Sequence, residues 1–272
     1  GIQTYNTAIF RAHLSSALDL TRGKNPTRYA INRRYYGYLL FMEGSYEESR
    51  IELKHSLELL RSAFSRGLDL TLQSSYAYNY IGEAYRKEGH YEQAMECYQC
   101  AIRELEQFGV FSWVSVFYTN CAHAAFAAKK YQCAKTLLKQ AEKHSSYIQE
   151  PGGHRTIAYS YTALYAFSEG KDAQVCRLLQ QAKRFADALQ SPYEQGIVWM
   201  CKAIIRRRCD QISEFHPAVS EFLNRPYAEY LSYSQTLLAG KAGRFEQEML
   251  EALAQGNDEI LRGFWQFSGS LH

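Results

Sequence analysis

The stretch from Ser75 to Phe108 places Gly82, Tyr85, Gly89, Tyr91, Ala94, Tyr98 and Ala101 at offsets 0, 3, 7, 9, 12, 16 and 19. Few patterns restrict a fold more tightly. Small residues at Gly82 and Ala94 let two antiparallel helices approach where a larger side chain would push their axes apart. Tyr85, Tyr91 and Tyr98 fill the space around that approach. Gly89 ends the first helix, and the second begins near Tyr91. A helix pair of this size cannot bury its apolar face alone, so the pattern predicts further pairs stacked beside it.

Those pairs are in the chain. Gly37, Gly44, Tyr46, Ser49, Leu53 and Ser56 keep the offsets 0, 7, 9, 12, 16 and 19 in a pair spanning about 27–67, with serine at two small positions. A third pair, about 111–146, keeps Ala122, Ala125, Tyr131, Ala134, Leu138 and Ala141 in register but has Lys129 where the turn glycine stands. A fourth, about 155–189, keeps Ala163, Gly170, Leu179 and Ala182 and puts Asp172 at the usual aromatic position. Ser191-Pro192, a capping hydroxyl followed by proline, opens a fifth pair over 191–224, whose second helix is shortened around Pro217. A sixth covers 226–255 with a Gly-Arg-Phe turn at Gly243 to Phe245. Residues 3–22 read as a second helix without a first, which predicts either an N-terminal cap or a segment cut from a longer protein. The leading Gly1 fits the cut, and the tail 257–272, with Phe264, Trp265 and Phe267, reads as a capping helix or a partly ordered end. Pro151 to Gly153 is the clearest loop.

Composition narrows the class. Hydrophobic residues make up 46% of the chain, enough for a continuous core, and 22 tyrosines supply most of the aromatic content. Tyrosine buries a ring and keeps a polar tip, which suits helix seams and a wet inner face. A net charge of +3 and a pI near 8.4 lack the dense basic stripe of a nucleic-acid binder, so no direct nucleic-acid contact is expected. No apolar run approaches the ~18 residues of a spanning helix, so no membrane association is expected. Seven cysteines, an odd number scattered through helical patterns, predict reduced thiols and a cytoplasmic location.

Candidate chemistry is sparse. Cys97 and Cys100 share a helix face and could form half of a zinc or redox site, but no second CxxC follows at zinc spacing, and helix filling explains them. The eight histidines show no metal-binding spacing, and only His123 occupies a notable position. No phosphate loop, nucleophile elbow or carboxylate pair occurs, so neither an enzyme nor a cofactor nor a metal is expected. Arg206-Arg207-Arg208 near a helix end is explained by dipole complementation and solvation, with contact to phosphate or an acidic partner as the alternative.

The spacing around Gly82 resembles the tetratricopeptide repeat (TPR) family. The resemblance implies an all-α, right-handed superhelix of about six helix pairs with degenerate ends. The second-helix positions Ala17, Ser56, Ala101, Ala141 and Ala182 are separated by 39, 45, 40 and 41 residues. That exceeds the ~34 typical of the family and is similar to the long repeats of bacterial transcription regulators and peptide-pheromone receptors. In such a superhelix the first helices line a concave groove. The resemblance puts Arg34, Tyr35, Tyr38 and Phe41 there from the first full repeat, and Tyr76, Asn79, Tyr80, Glu83 and Arg86 from the second. Thr119, Asn120, His123 and Phe126 follow from the third, and Ser160, Tyr161 and Phe167 from the fourth. An asparagine amide can pair with the backbone of an extended peptide, aromatics can form side-chain pockets, and Arg34 or Arg86 can take a carboxylate. The implied function is peptide or ligand sensing within a bacterial regulator whose output domain lies outside this chain. A constitutive scaffold is the alternative, and self-association stays open.

Overall fold

The computed structural model describes residues 2–62, 67–111, 113–145, 152–211, 217–259 and 262. Gly1, Pro151, the stretch 212–216 and the tail carrying Phe264, Trp265 and Phe267 lie outside the described residues. The described part is all-α. α1 (Ile2–Thr21) precedes α2 (Pro26–Met42) and α3 (Tyr46–Ser62), then α4 (Leu68–Glu88) and α5 (Tyr91–Gln107). α6 (Val114–Ala127), α7 (Tyr131–His144), α8 (Gly153–Ser168) and α9 (Asp172–Leu189) follow. α10 (Pro192–Cys209), α11 (Pro217–Phe222), α12 (Tyr227–Leu238) and α13 (Arg244–Gln255) complete the order. The chain divides into two compact units, 1–117 and 118–272, with the boundary inside α6.

In the first unit, α2 packs along α3 and α4 along α5. The crossing residues act as the spacing requires. A Cβ on Gly82 would lie 2.8 Å from the Tyr98 ring, and one on Gly37 would lie 2.6 Å from Leu53. Neither position has room for a methyl group. Ser49 and Ser56 stand in for alanine because their hydroxyls find partners. Each is fully buried and donates over 2.7 Å to a carbonyl of α2, Ser49 to Gly37 and Ser56 to Ala30. Cys97 packs beside a cluster of Leu53, Leu57, Ala77 and Ile81, as helix filling predicts.

In the second unit, α8 packs along α9 and α10 against α8, α9 and α12. Ala134 and Ala141 on α7, Ala163 on α8 and Ala182 on α9 are buried, like Ala94 and Ala101 in the first unit. The missing turn glycine has a visible cost. Gly89 adopts φ +87, and Lys129, at the matching position, is held at φ +60, a left-handed conformation that disfavours side chains. Two local expectations change. The Ser191 hydroxyl bonds the Glu194 carboxylate and leaves the backbone of α10 uncapped. The sixth pair is not a close hairpin: α13 packs sparsely on α12, and its first turn reaches α6 and α10.

Candidate functional site

In the first unit, α2 and α4 bring an aromatic wall together around one guanidinium. Arg34 lies 3.9 Å from the Tyr35 ring centre and 5.5 Å from that of Tyr76. Its Nε donates to Gln73 Oε1 at 2.7 Å. Burial lowers the Arg34 pKa, but an arginine stays charged, so it pins both rings by cation–π attraction. Tyr38 and Tyr80 lie 4.6 Å apart, Phe41 is 6.0 Å from Tyr80, and Trp113 meets Tyr76 edge-on at 5.4 Å. Burial, then the neighbouring Tyr38, pushes the Tyr80 hydroxyl up to about 12. Tyr35 and Trp113 remain 39% and 43% exposed, while Tyr38 and Tyr76 are half-buried.

The other expected groove residues of this unit turn inward. Asn79 is 8% exposed and Arg86 3%. Arg86 pairs with Glu83 at 2.8 Å, and the Tyr98 hydroxyl donates to the same carboxylate at 2.6 Å. Burial opposes the Glu83 charge, but the Arg86 guanidinium and the two hydrogen-bond donors outweigh it and hold the carboxyl below its ordinary range. The charge of Arg86 is therefore met within the repeat, and Arg86 does not stand open to a ligand carboxylate.

The second unit differs sharply. Its first-helix face is filled by the chain itself. His123 is 1% exposed, Tyr161 1% and Phe126 2%. Phe126 stacks on Tyr161 at 4.9 Å, and Phe245 of α13 stands edge-on to Phe126 at 5.9 Å and to His123 at 6.1 Å. Glu246, fully buried, places Oε1 3.0 Å from His123 Nε2. The same oxygen accepts from the Tyr193 hydroxyl at 2.8 Å, and Oε2 accepts from the Gly243 amide at 2.8 Å. The Tyr161 hydroxyl meets His123 Nε2 at 2.9 Å. An open groove through His123, Phe126 and Tyr161 is therefore not what this unit presents, because α13 already occupies the space. Asn120 is half-buried, and Ala122 and Ser160 are fully buried.

The model of the family described as "Tetratricopeptide repeat" matches residues 75–108. Residues 75–108 therefore match a tetratricopeptide repeat. Among solved structures, the one described as "Crystal structure of BtubC (BKLC) from P. vanneervenii" resembles it with a TM-score of 0.59 and 13% identity. The likeness covers 84% of this chain and 89% of that one, and at such identity it shows the fold alone. No curated protein sequence matches.

Tetratricopeptide repeats are protein-interaction modules. Among the described residues, no group of three or more His, Cys, Asp or Glu side chains gathers as a metal would require, and no helix is long and apolar enough to cross a membrane. The arginine run is met within the chain. Arg206 pairs with Asp210 at 2.8 Å, Arg207 with Asp258 at 2.5 Å, and Arg208 reaches Gln211 at 3.5 Å. Sequence reasoning missed Gln73, Trp113, Tyr193, Phe245 and Glu246. Glu246 left a signal: it sits three, four and seven positions before Met249, Leu250 and Leu253, so a carboxylate lies on the apolar stripe of its helix.

Proposed function

We propose that this chain is a non-enzymatic domain that binds a peptide or partner-protein segment on the α2–α4 face of the first unit. The carrying observation is the wall of Tyr35, Tyr38, Tyr76 and Trp113, left partly open, with Tyr35 and Tyr76 held by Arg34 and Trp113 set against Tyr76. Large rigid aromatics at low conformational cost are the residues that dominate binding energy at interfaces. Because Arg34 is stacked and bonded to Gln73, its role is to hold the wall. Apolar side chains of the ligand pack on the rings, and tyrosine hydroxyls pair with its backbone. The long repeats support placing the chain in a bacterial regulator, where the segment bound would bias an output domain outside the chain. Seven free cysteines support a reducing, cytoplasmic setting.

The test is to select peptides from a random library on the intact chain and titrate the winners calorimetrically. Tyr35→Ala combined with Trp113→Ala should weaken them at least tenfold, whereas Tyr233→Ala, an exposed ring in the second unit, should leave them unchanged. Equal affinity for both variants would remove the reading. Scattering adds a second measure: a radius of gyration that shifts on binding marks a sensor, and an unchanged one marks a scaffold.

A further inference from the structure

The space beside α6, α8 and α10 in the second unit is held by α13, and the way it is held describes a ligand. α13 enters with two adjacent side chains. Phe245 goes edge-on to Phe126 and His123. Glu246 sends one oxygen to His123 and Tyr193, while Tyr161 meets His123 from α8. A single first turn thereby engages α6 and α10 directly, and His123 passes the contact on to Tyr161 of α8. The other end is latched by polar contacts: Arg207 donates to the Gly256 carbonyl at 2.7 Å, and the Tyr227 hydroxyl donates to the Leu253 carbonyl at 2.7 Å. The link from α12 runs through Gly240 at φ +68 to Gly243, and α13 packs only sparsely on α12.

Glu246 Oε2 caps the first turn of α13 at the Gly243 amide, and only Oε1 reaches across to side chains of other helices. A fully buried carboxylate is costly to desolvate and is retained only where its partners match it. Those partners, an imidazole and a phenol on separate helices, form a receptor for a carboxylate beside an aromatic slot. We infer that the α6–α8–α10 face is a second binding surface, specific for a helix that begins with an aromatic residue followed directly by a carboxylate, and that α13 is its resident occupant. A partner helix bearing the same pair exchanges each contact for an equivalent one, so what it competes against is tethering. A short tether gives the resident helix an effective concentration on the order of millimolar. The inference extends the reading of the chain as a peptide binder. It uses no residue of α2 or α4, so its failure leaves the first-unit reading standing.

The experiment uses the full chain and a fluorescent synthetic peptide of residues 241–257. A Phe245→Ala, Glu246→Ala variant, which weakens the resident helix, should bind the peptide at least tenfold more tightly than the wild type. Adding His123→Ala to that variant should abolish the gain, and a peptide carrying Glu246→Gln should bind at least tenfold less well. Hydrogen exchange on the unmodified chain is read in parallel, because the variant could fail to fold. There α13 should exchange well ahead of α8 and α10. Protection of α13 equal to that of α8 and α10, or a folded variant that ignores the peptide, would overturn the inference.

Discussion

Lys202→Met should stabilise the protein at neutral pH, and the gain should vanish as the solution becomes basic. Lys202 is 7% exposed on α10, with its ammonium 5.2 Å from the Trp199 ring centre and 5.3 Å from that of Phe222. Among the described residues it has no ion pair. Burial, with help from Lys183 and Arg225 and against Asp187, brings its pKa from 10.5 down to about 8. At 1.36 kcal/mol per pH unit, keeping this ammonium charged at pH 7 costs about 3 kcal/mol. Methionine has similar length and no charge, and its sulfur contacts with the rings replace most of the ~0.5–2 kcal/mol of cation–π attraction. The net expectation is a gain of ~1–3 kcal/mol at pH 7. The folded pKa lies below the unfolded one, so the unfolded chain binds more protons between pH 8 and 10.5. Wild-type stability from this group therefore rises with pH across that window, and the advantage of the variant shrinks there. Urea unfolding at pH 7, 8.5 and 9.5, followed by tryptophan fluorescence, measures the difference. A variant that is less stable than the wild type at pH 7, or a difference that does not change with pH, would refute the reasoning.

Two further outcomes follow from the first unit. Gly82→Ala puts a methyl group 2.8 Å from the Tyr98 ring and should cost ~1–3 kcal/mol, while Gly67→Ala, at the N-cap of α4 with no described atom within 4 Å, should cost less than about 1 kcal/mol. Matching urea midpoints for the two variants would contradict the close crossing. Glu83→Gln removes the carboxylate that pairs with buried Arg86 and should destabilise by roughly 3 kcal/mol at pH 7. Because the folded pKa of Glu83 is lowered, its stabilisation is present above the ordinary carboxylate pKa and is lost as pH falls through the folded value. The gap between the two proteins should thus narrow as pH falls, and a gap that stays constant from neutral pH into acid would show that the ion pair is not its source.

Much of the fold was legible because it is set locally. A glycine at 82 and an alanine at 94 announce a close helix crossing, and Gly89 announces a turn, through forces acting within a few residues of each. The deviations were legible too: Ser49 and Lys129 stand at positions where their neighbours define the expected residue, and the structure shows the hydrogen bond and the left-handed backbone that accommodate them. The site was less legible. Periodicity identifies which residues of α2 and α4 share a face, but it does not distinguish Tyr35, which stays exposed, from Arg86, which turns to Glu83.

By itself, the order of residues determined a series of helix pairs and the side chains at their seams, since those depend on spacing within one repeat. The destination of α13 was decided by tertiary structure alone. Phe245 and Glu246 meet His123, Phe126 and Tyr193 across several intervening repeats, and no periodic signal links positions so far apart. Buried surface and matched polar partners, which exist only once α6, α8 and α10 stand side by side, select that contact.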